Sequence, residues 1–284
     1  MEVISSIEAL NRHLAAARLS GQTVALVPTM GALHEGHLKL IEEARRQSDV
    51  VVVSIFVNPT QFNQAEDFDL YPRTPERDLD ACSGAGVDVI FAPDAREMYP
   101  TASATWVEVG PVSEHFCGQF RPGHFRGVAT VVMKLLQIVR PDVAYFGEKD
   151  AQQLAVIQRM VRDLNVPVRI RPVPTLREPD GLAMSSRNRR LPPEHRAVAP
   201  LLFRALSIAA DAIRDGVPSS EGALREARSV LASEPRIRVE YFDIADPEEM
   251  RPVATINGPV IVLIAAWLGD VRLIDNVRVE RRQA

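Results

Sequence analysis

The sequence predicts an α/β protein: a Rossmann-like parallel sheet covered by helices on both faces, then a smaller α+β region. Three observations predict it. Runs such as Thr23–Pro28 and Asp49–Val57 are apolar at nearly every position, as strands buried on both faces require. They alternate with stretches whose apolar residues recur every three to four positions, the mark of helices with one buried stripe. After about Pro174 the alternation stops and two helices precede a group of strands.

Thr23–Pro28 is short, β-branched and ended by proline, which reads as a buried strand. Gly36–Gln47 reads as a helix, with Leu38, Ile41 and Ala44 on one stripe. Asp49–Val57 is a second buried strand. Pro75–Ala85 has proline in its first turn, which suits a helix start. Val87–Phe91 is a third strand. A helix from about Gly127 to Val139 precedes a strand at Asp142–Phe146, and Gln152–Leu164 precedes Val166–Val173 in the same way. In parallel sheets ligands bind beyond the carboxyl ends of the strands. The segments after Pro28, Val57 and Phe146 therefore share one rim. Arg177–Pro193 is polar and proline-flanked, hence a loop. Helices near Glu194–Arg214 and Ser220–Ser233 follow, then strands at Arg238–Ile244, Val260–Leu268 and Val271–Ile274. The reading gives two domains, residues 1–175 and 176–284.

Composition narrows the function. The 284 residues carry 33 Lys and Arg against 37 Asp and Glu, a formal net charge of -4. A broad nucleic-acid face would need a basic excess, so no nucleic-acid partner is expected. Two cysteines, Cys82 and Cys117, cannot build a disulfide framework or a four-thiolate zinc site. Met1–Leu10 carries Glu2 and Glu8 and no apolar core, unlike a signal peptide. The longest apolar run, Val260–Leu268, is about half a membrane span. A cytoplasmic protein without membrane partners is the expectation.

Two segments carry the chemistry. In Pro28-Thr-Met-Gly-Ala-Leu-His-Glu-Gly-His37, Gly31 and Gly36 have the spacing of a phosphate loop, but His37 and Leu38 replace the Lys and Ser/Thr that must follow. A metalloprotease would need His-Glu-x-x-His, and this run is one residue short. With no third ligand evident, no metal site is expected. His34 and His37 instead share one side of a helix start. There the helix dipole and unpaired N–H groups favour phosphate. Gly36 allows close approach, and two imidazoles can donate to developing phosphoryl charge. Read alone, the tetrad serves equally well as a pair of capping histidines. The second segment is Arg177-Glu-Pro-Asp-Gly-Leu-Ala-Met-Ser-Ser-Arg-Asn188, where Ser185, Ser186 and Arg187 offer two hydroxyls and a guanidinium to a polyphosphate. Alone it is a solvated connector. The pair resembles the HIGH and KMSKS signatures of the class I aminoacyl-tRNA synthetase and nucleotidyltransferase superfamily.

Three further runs accompany Pro28–His37 and Met184-Ser-Ser-Arg-Asn188: Phe56-Val-Asn-Pro-Thr-Gln-Phe62, Arg121-Pro-Gly-His-Phe-Arg-Gly127 and Tyr145-Phe-Gly-Glu-Lys-Asp150. With them the chain resembles, within that superfamily, the pantothenate synthetases, or pantoate–β-alanine ligases. The runs come in family order and span nearly the whole chain. The resemblance implies a Rossmann-like N-terminal domain, a smaller C-terminal lid domain and a homodimer. It implies ATP-dependent condensation of pantoate with β-alanine to pantothenate, AMP and diphosphate through a pantoyl-adenylate, with Mg2+ on the nucleotide phosphates. Arg190, Pro192-Pro193 and Cys82 depart from the family's commoner residues and bear on the lid helix more than on the chemistry.

The same resemblance implies the roles. Met30, Gly31, Ala32, Leu33, His34, Glu35, Gly36 and His37 line the ATP pocket, with His34 and His37 catalytic. Gly147, Glu148, Lys149 and Asp150 continue it: Lys149 neutralises phosphate and Asp150 accepts from ribose. Leu176 touches adenine, and Met184, Ser185, Ser186 and Arg187 complete the nucleotide contacts. Gln61, Gln153 and Asn58 are the pantoate contacts, since an amide both donates to a carboxylate and accepts from a hydroxyl. Read alone, Glu148-Lys149-Asp150 is a solvated helix start, and Gln61, Gln153 and Leu176 are a loop glutamine, a surface glutamine and a core leucine. Two rivals remain at this point. One is a nucleotidyltransferase that moves AMP onto a phosphate monoester. The other is a non-catalytic nucleotide-binding module, which has no use for Lys149, Ser185, Ser186 and Arg187 together. A tRNA synthetase fits poorly, because nothing after Pro174 is basic or long enough to hold tRNA.

Overall fold

The computed structural model describes residues 1–63 and 68–280. It falls into two compact units. One comprises Met1–Val109, Arg121–Glu148 and Val156–Pro174; the other comprises Gly110–Phe120, Lys149–Ala155 and Thr175–Ala284.

The first unit holds a six-stranded sheet of β1 (Glu2–Ile4), β2 (Val24–Thr29), β3 (Val50–Ile55), β4 (Val89–Phe91), β5 (Val143–Gly147) and β6 (Arg169–Val173). Their order is β1-β4-β3-β2-β5-β6, and every pairing is parallel. β2 pairs with β3 from Val24–Val50 through Thr29–Ile55, and on its other edge with β5 at Ala25–Val143 and Leu26–Ala144. The chain leaves β2 toward β3 and returns on the far side as β5. Strand order therefore reverses between β2 and β5, the switch point beyond which ligands of open α/β sheets generally bind.

Alternate residues of β2 and β3, namely Ala25, Val27, Val51 and Val53, are buried with Leu40, Ile41 and Ala44 of the helix Glu35–Gln47. Leu38 of the expected stripe sits at the edge of that cluster. Burying one such aliphatic side chain contributes roughly 1.5–3 kcal/mol. The helix His124–Val139 starts three residues before the expected Gly127 and is buried over most of its length. The edge strand β1 and the helix Ile7–Leu19 were not anticipated. β1 has three residues, only Ile4 of them buried. The helix is capped by Ser6 and buries Leu10, Leu14 and Ala17. β6 begins at Arg169 rather than Val166, because Pro167 has no N–H for a ladder.

The second unit has an antiparallel sheet of β7 (Ile237–Ala245), β8 (Val260–Leu268) and β9 (Val271–Val279) in that order. The helices Leu201–Arg214 and Ser220–Ala232 share one apolar core with it, including Leu202, Leu206, Ile213, Leu224, Ile244, Val262 and Ile264. Glu194–Arg214 is two helices, Pro193–Val198 and Leu201–Arg214, because Pro200 lacks the N–H a continuous helix would use. β9 runs past the expected end at Ile274, since Asp275 and Asn276 are buried with partners instead of ending the strand. Glu240 stands at a β-bulge between Val239 and Tyr241 and accepts from Trp267 Nε1 at 2.9 Å and from Arg272 Nε at 2.9 Å.

Candidate active site

In the first unit the expected residues gather at the end of β2. Met30 follows the strand, and Gly31, Ala32 and Leu33 are buried. Gly31 and Ala32 both have positive φ, 76° and 51°, which turns the chain sharply into the helix. A side chain at Gly31 would meet Asp78 Oδ2 at 2.9 Å. Asp78, 2 % exposed, holds this turn. Its carboxylate accepts from Ala32 N at 2.9 Å, Leu33 N at 2.8 Å and Thr74 Oγ1 at 3.1 Å. Sequence reasoning missed Asp78, because nothing local in the Pro75–Gly84 helix marks a residue that acts 45 positions away.

His34 is the N-cap of the helix Glu35–Gln47. Its Nδ1 accepts from Gly36 N at 3.1 Å, and His37 Nδ1 accepts from His34 N at 3.3 Å, a reciprocal capping box. The ring centroids lie 4.1 Å apart. Capping and ligand binding are thus compatible roles: a neutral ring that accepts at Nδ1 carries its proton on Nε2, which makes Nε2 a donor. Glu35 is exposed. Gly147 ends β5 and Glu148 follows it, so both lie at the other strand of the switch point.

Gln61 and Asn58 lie in the turn after β3, in the segment Asn58–Phe62. Gln61 is 8 % exposed; its Nε2 approaches Met30 Sδ at 3.0 Å, and its Oε1 accepts from Asn58 Nδ2 at 3.1 Å. Asn58 is 1 % exposed. Its Nδ2 also donates to Gly127 O at 3.2 Å, while its Oδ1 accepts from Tyr99 OH at 2.9 Å and Thr60 Oγ1 at 3.0 Å. Asn58 therefore holds Gln61. His124 Nδ1 donates to Gln61 O at 2.8 Å, and a side chain at Gly127 would collide with the Thr60 carbonyl. The Arg121–Gly127 run is the platform under the Gln61 turn, a use the sequence did not announce.

In the second unit, Lys149 and Asp150 precede the helix Ala151–Asp163, with Lys149 Nζ 3.9 Å from Asp150 Oδ1. Gln153 is half-buried, whereas its neighbour Gln152 is buried and spent on Cys117 N, Val112 O and His115 O. Leu176 is exposed. Its carbonyl accepts from Met184 N at 2.9 Å, closing the 176–184 segment into a narrow loop. Ser185 caps the single turn Ser186–Arg190, its Oγ accepting from Arg187 N at 3.2 Å. Ser186 is buried, and Met184 and Arg187 are half-buried. Beneath the loop, Arg196 bonds Glu178 Oε2 at 2.6 Å and Asp180 Oδ2 at 2.7 Å, and Asn188 Nδ2 donates to Glu178 Oε1 at 2.7 Å. The Arg196 bond holds the Asp180 carboxyl below its ordinary pKa. Arg196 and Glu178 were not anticipated, being ordinary surface charges in sequence.

A parallel sheet of this strand order, whose switch-point helix opens with two imidazoles, defines a doubly wound α/β protein of the Rossmann-like class. The family model described as pantoate-beta-alanine ligase matches residues 2–278. A pantothenate synthetase of Moorella thermoacetica is 52% identical over 280 residues, covering 99% of both chains. A pantothenate synthetase structure from Thermus thermophilus superposes with a TM-score of 0.93 at 47% identity, covering 98% of this chain and 99% of that one. A pantoate–β-alanine ligase from Francisella tularensis, complexed with β,γ-ATP and β-alanine, gives 0.81 at 34% identity, covering 98% and 97%. The chain belongs to the pantoate–β-alanine ligase family, and it is a ligase.

Proposed function

We propose that the enzyme condenses pantoate with β-alanine at the expense of ATP, giving pantothenate, AMP and diphosphate through a pantoyl-adenylate. The observation that carries this is the His34–His37 capping box at the end of β2, in a chain of this family. The pantoate carboxylate attacks the α-phosphorus and diphosphate leaves. The β-alanine amine, neutral when it attacks, then displaces AMP to form the amide. Little covalent work falls to the protein, and positioning with charge stabilisation dominates.

In this reading Met30, Gly31, Ala32, Leu33, Glu35 and Gly36 bound the nucleotide site, and His34 and His37 donate from Nε2 to the phosphates. Lys149, Ser185, Ser186 and Arg187 add donors and positive charge. Gly147 and Glu148 border the nucleotide, Asp150 accepts from its ribose, Leu176 meets adenine and Met184 lines the pocket. Gln61 and Gln153 bind pantoate, and Asn58 acts by holding Gln61. Magnesium supplies counter-charge for the leaving diphosphate. Such a cation would arrive on the phosphates and keep much of its water. The reading includes a cytoplasmic homodimer, as the family resemblance implies; among the described residues no helix is long and apolar enough to cross a membrane.

ATP–diphosphate exchange tests it. Exchange should require pantoate and proceed without β-alanine. Exchange without any acid, or AMP transfer to a phosphate monoester, would replace this reading with a nucleotidyltransferase.

A further inference from the structure

We infer that Asp275 and Asn276, neighbours in β9, are positioning residues for the ligase reaction, holding the backbone of Lys149 and of the Arg177–Arg187 segment in a fixed mutual register. The inference rests on the roles proposed above for Lys149 and for Ser185–Arg187.

Both side chains are buried, Asp275 at 4 % and Asn276 at 8 % exposure. Asp275 takes both arms of the Arg177 guanidinium, NH1 at 2.6 Å and NH2 at 3.0 Å. The same guanidinium donates to Gly181 O at 3.1 Å and to Asn276 O at 3.3 Å, and it lies 3.7 Å from the centre of the Phe203 ring. Arg177 is thereby held by four hydrogen bonds and the Phe203 ring. It stands at the mouth of the narrow loop that delivers Met184 and Ser185. Asn276 donates from Nδ2 to the Lys149 carbonyl at 2.8 Å, while its own N–H goes to Asp275 Oδ1 at 2.8 Å. One dipeptide thus ties down two segments that lie 98 and 127 residues earlier in the chain. Two apolar residues would serve a buried strand better, since a buried acid carries a desolvation cost that its ion pair only offsets. What the polar pair adds is the placement of Lys149 and the loop, and a misplacement of about 1 Å costs ~100-fold in rate.

The test is a double-mutant cycle read by single-turnover adenylate formation, with ATP affinity by equilibrium titration and folding by thermal melting. Asn276→Ala removes the bond to Lys149. Asn276→Leu is close in size and has no hydrogen to donate, and is the second variant should alanine fail to fold. Each should bind ATP within about threefold of the parent and form the adenylate about 10–100-fold more slowly. The loss should vanish in a Lys149→Ala background, because the group Asn276 acts through is gone. A folded Asn276 variant with the parental single-turnover rate overturns the inference, as does a loss that multiplies with that of Lys149→Ala. Lys149→Ala with an unimpaired rate is a separate failure: it removes the role of Lys149 itself, and the inference falls with it.

Discussion

A ring nitrogen that accepts a backbone N–H cannot also carry a proton, and His37 Nδ1 accepts from His34 N at 3.3 Å. The neutral ring therefore offers Nε2–H, the form that can donate to a phosphoryl oxygen without a prior protonation. If it does so in the transition state, His37→Ala should lower single-turnover adenylate formation by ~10²–10³. The fold should survive, since the N-cap His34 remains and only one capping-box hydrogen bond, worth about 1 kcal/mol, is lost. A folded His37→Ala protein with a near-normal rate would remove His37 from the chemistry. Gln61 is the residue that separates the substrates. Losing one hydrogen bond to a charged group costs about 1.5–3 kcal/mol, so Gln61→Ala should weaken pantoate use by roughly 10–200-fold. ATP affinity should stay nearly constant; its collapse with normal pantoate dependence would place Gln61 in the nucleotide pocket instead. The places of His34, His37 and Gln61 after β2 and β3 were legible because each follows an apolar run, while their proposed roles came from the family resemblance. Asp78, Tyr99 and His124 were not, since each acts on a loop distant in sequence: Tyr99 reaches Asn58 41 residues away, and His124 reaches Gln61 63 residues away.

At the scale of elements, the Met184–Asn188 loop is held from below, with Ser186 buried and Met184, Ser185 and Arg187 half-buried. Glu178, Arg196 and Asn188 secure its base, while Arg189 beyond Arg187 is exposed. Such a segment can order over a bound nucleotide without disturbing its anchor. Limited proteolysis near Arg187 should slow when ATP, magnesium and pantoate are present. Unchanged cleavage, with binding verified separately, would count against that ordering. The central strands β2, β3 and β5 were legible because burial on both faces writes itself as an unbroken apolar run. β1 was invisible because three edge residues with one buried position carry no period. The far half of β9 was invisible for the opposite reason: Asp275 looks like an end unless Arg177, 98 residues away, is known to meet it.

Over the molecule as a whole, the described structure divides into units that a linear reading does not see. Gly110–Phe120 and Lys149–Ala155 cluster with Thr175–Ala284, through bonds such as Cys117 N to Gln152 Oε1 at 3.0 Å and ring contacts of Phe116 and Phe120 with Tyr241. Within this unit the Arg272–Glu240 pair is largely buried, with side chains 13% and 10% exposed. Burial pushes the Glu240 carboxyl up, but its bonds from Arg272 and Trp267 outweigh that and hold it below the ordinary value. Arg272→Ala would strand a buried carboxylate, and stability at neutral pH should fall by about 3–5 kcal/mol. Urea unfolding followed by tryptophan fluorescence measures this, because Trp267 bonds Glu240 directly. A depressed carboxyl stabilises the fold above its unfolded pKa, near 4.3, and loses that contribution as the pH falls through the lower folded value. The gap between parent and variant should therefore narrow in acid; a gap that is constant from pH 7 to pH 3 would deny the pair its ionic character.

Histidine is an unusual choice for the first position of a helix, where Asp, Asn or Ser ordinarily serves better. The Glu35–Gln47 helix has accepted the weaker residue, with the second imidazole closing the arrangement. An effort to make this protein more heat-tolerant by installing preferred residues at helix starts would choose His34→Asp early, and the melting temperature would reward the choice. The same change would place a fixed negative charge where the proposed reaction brings a polyphosphate. Thermostability screening and activity screening should therefore rank substitutions at this position in opposite order.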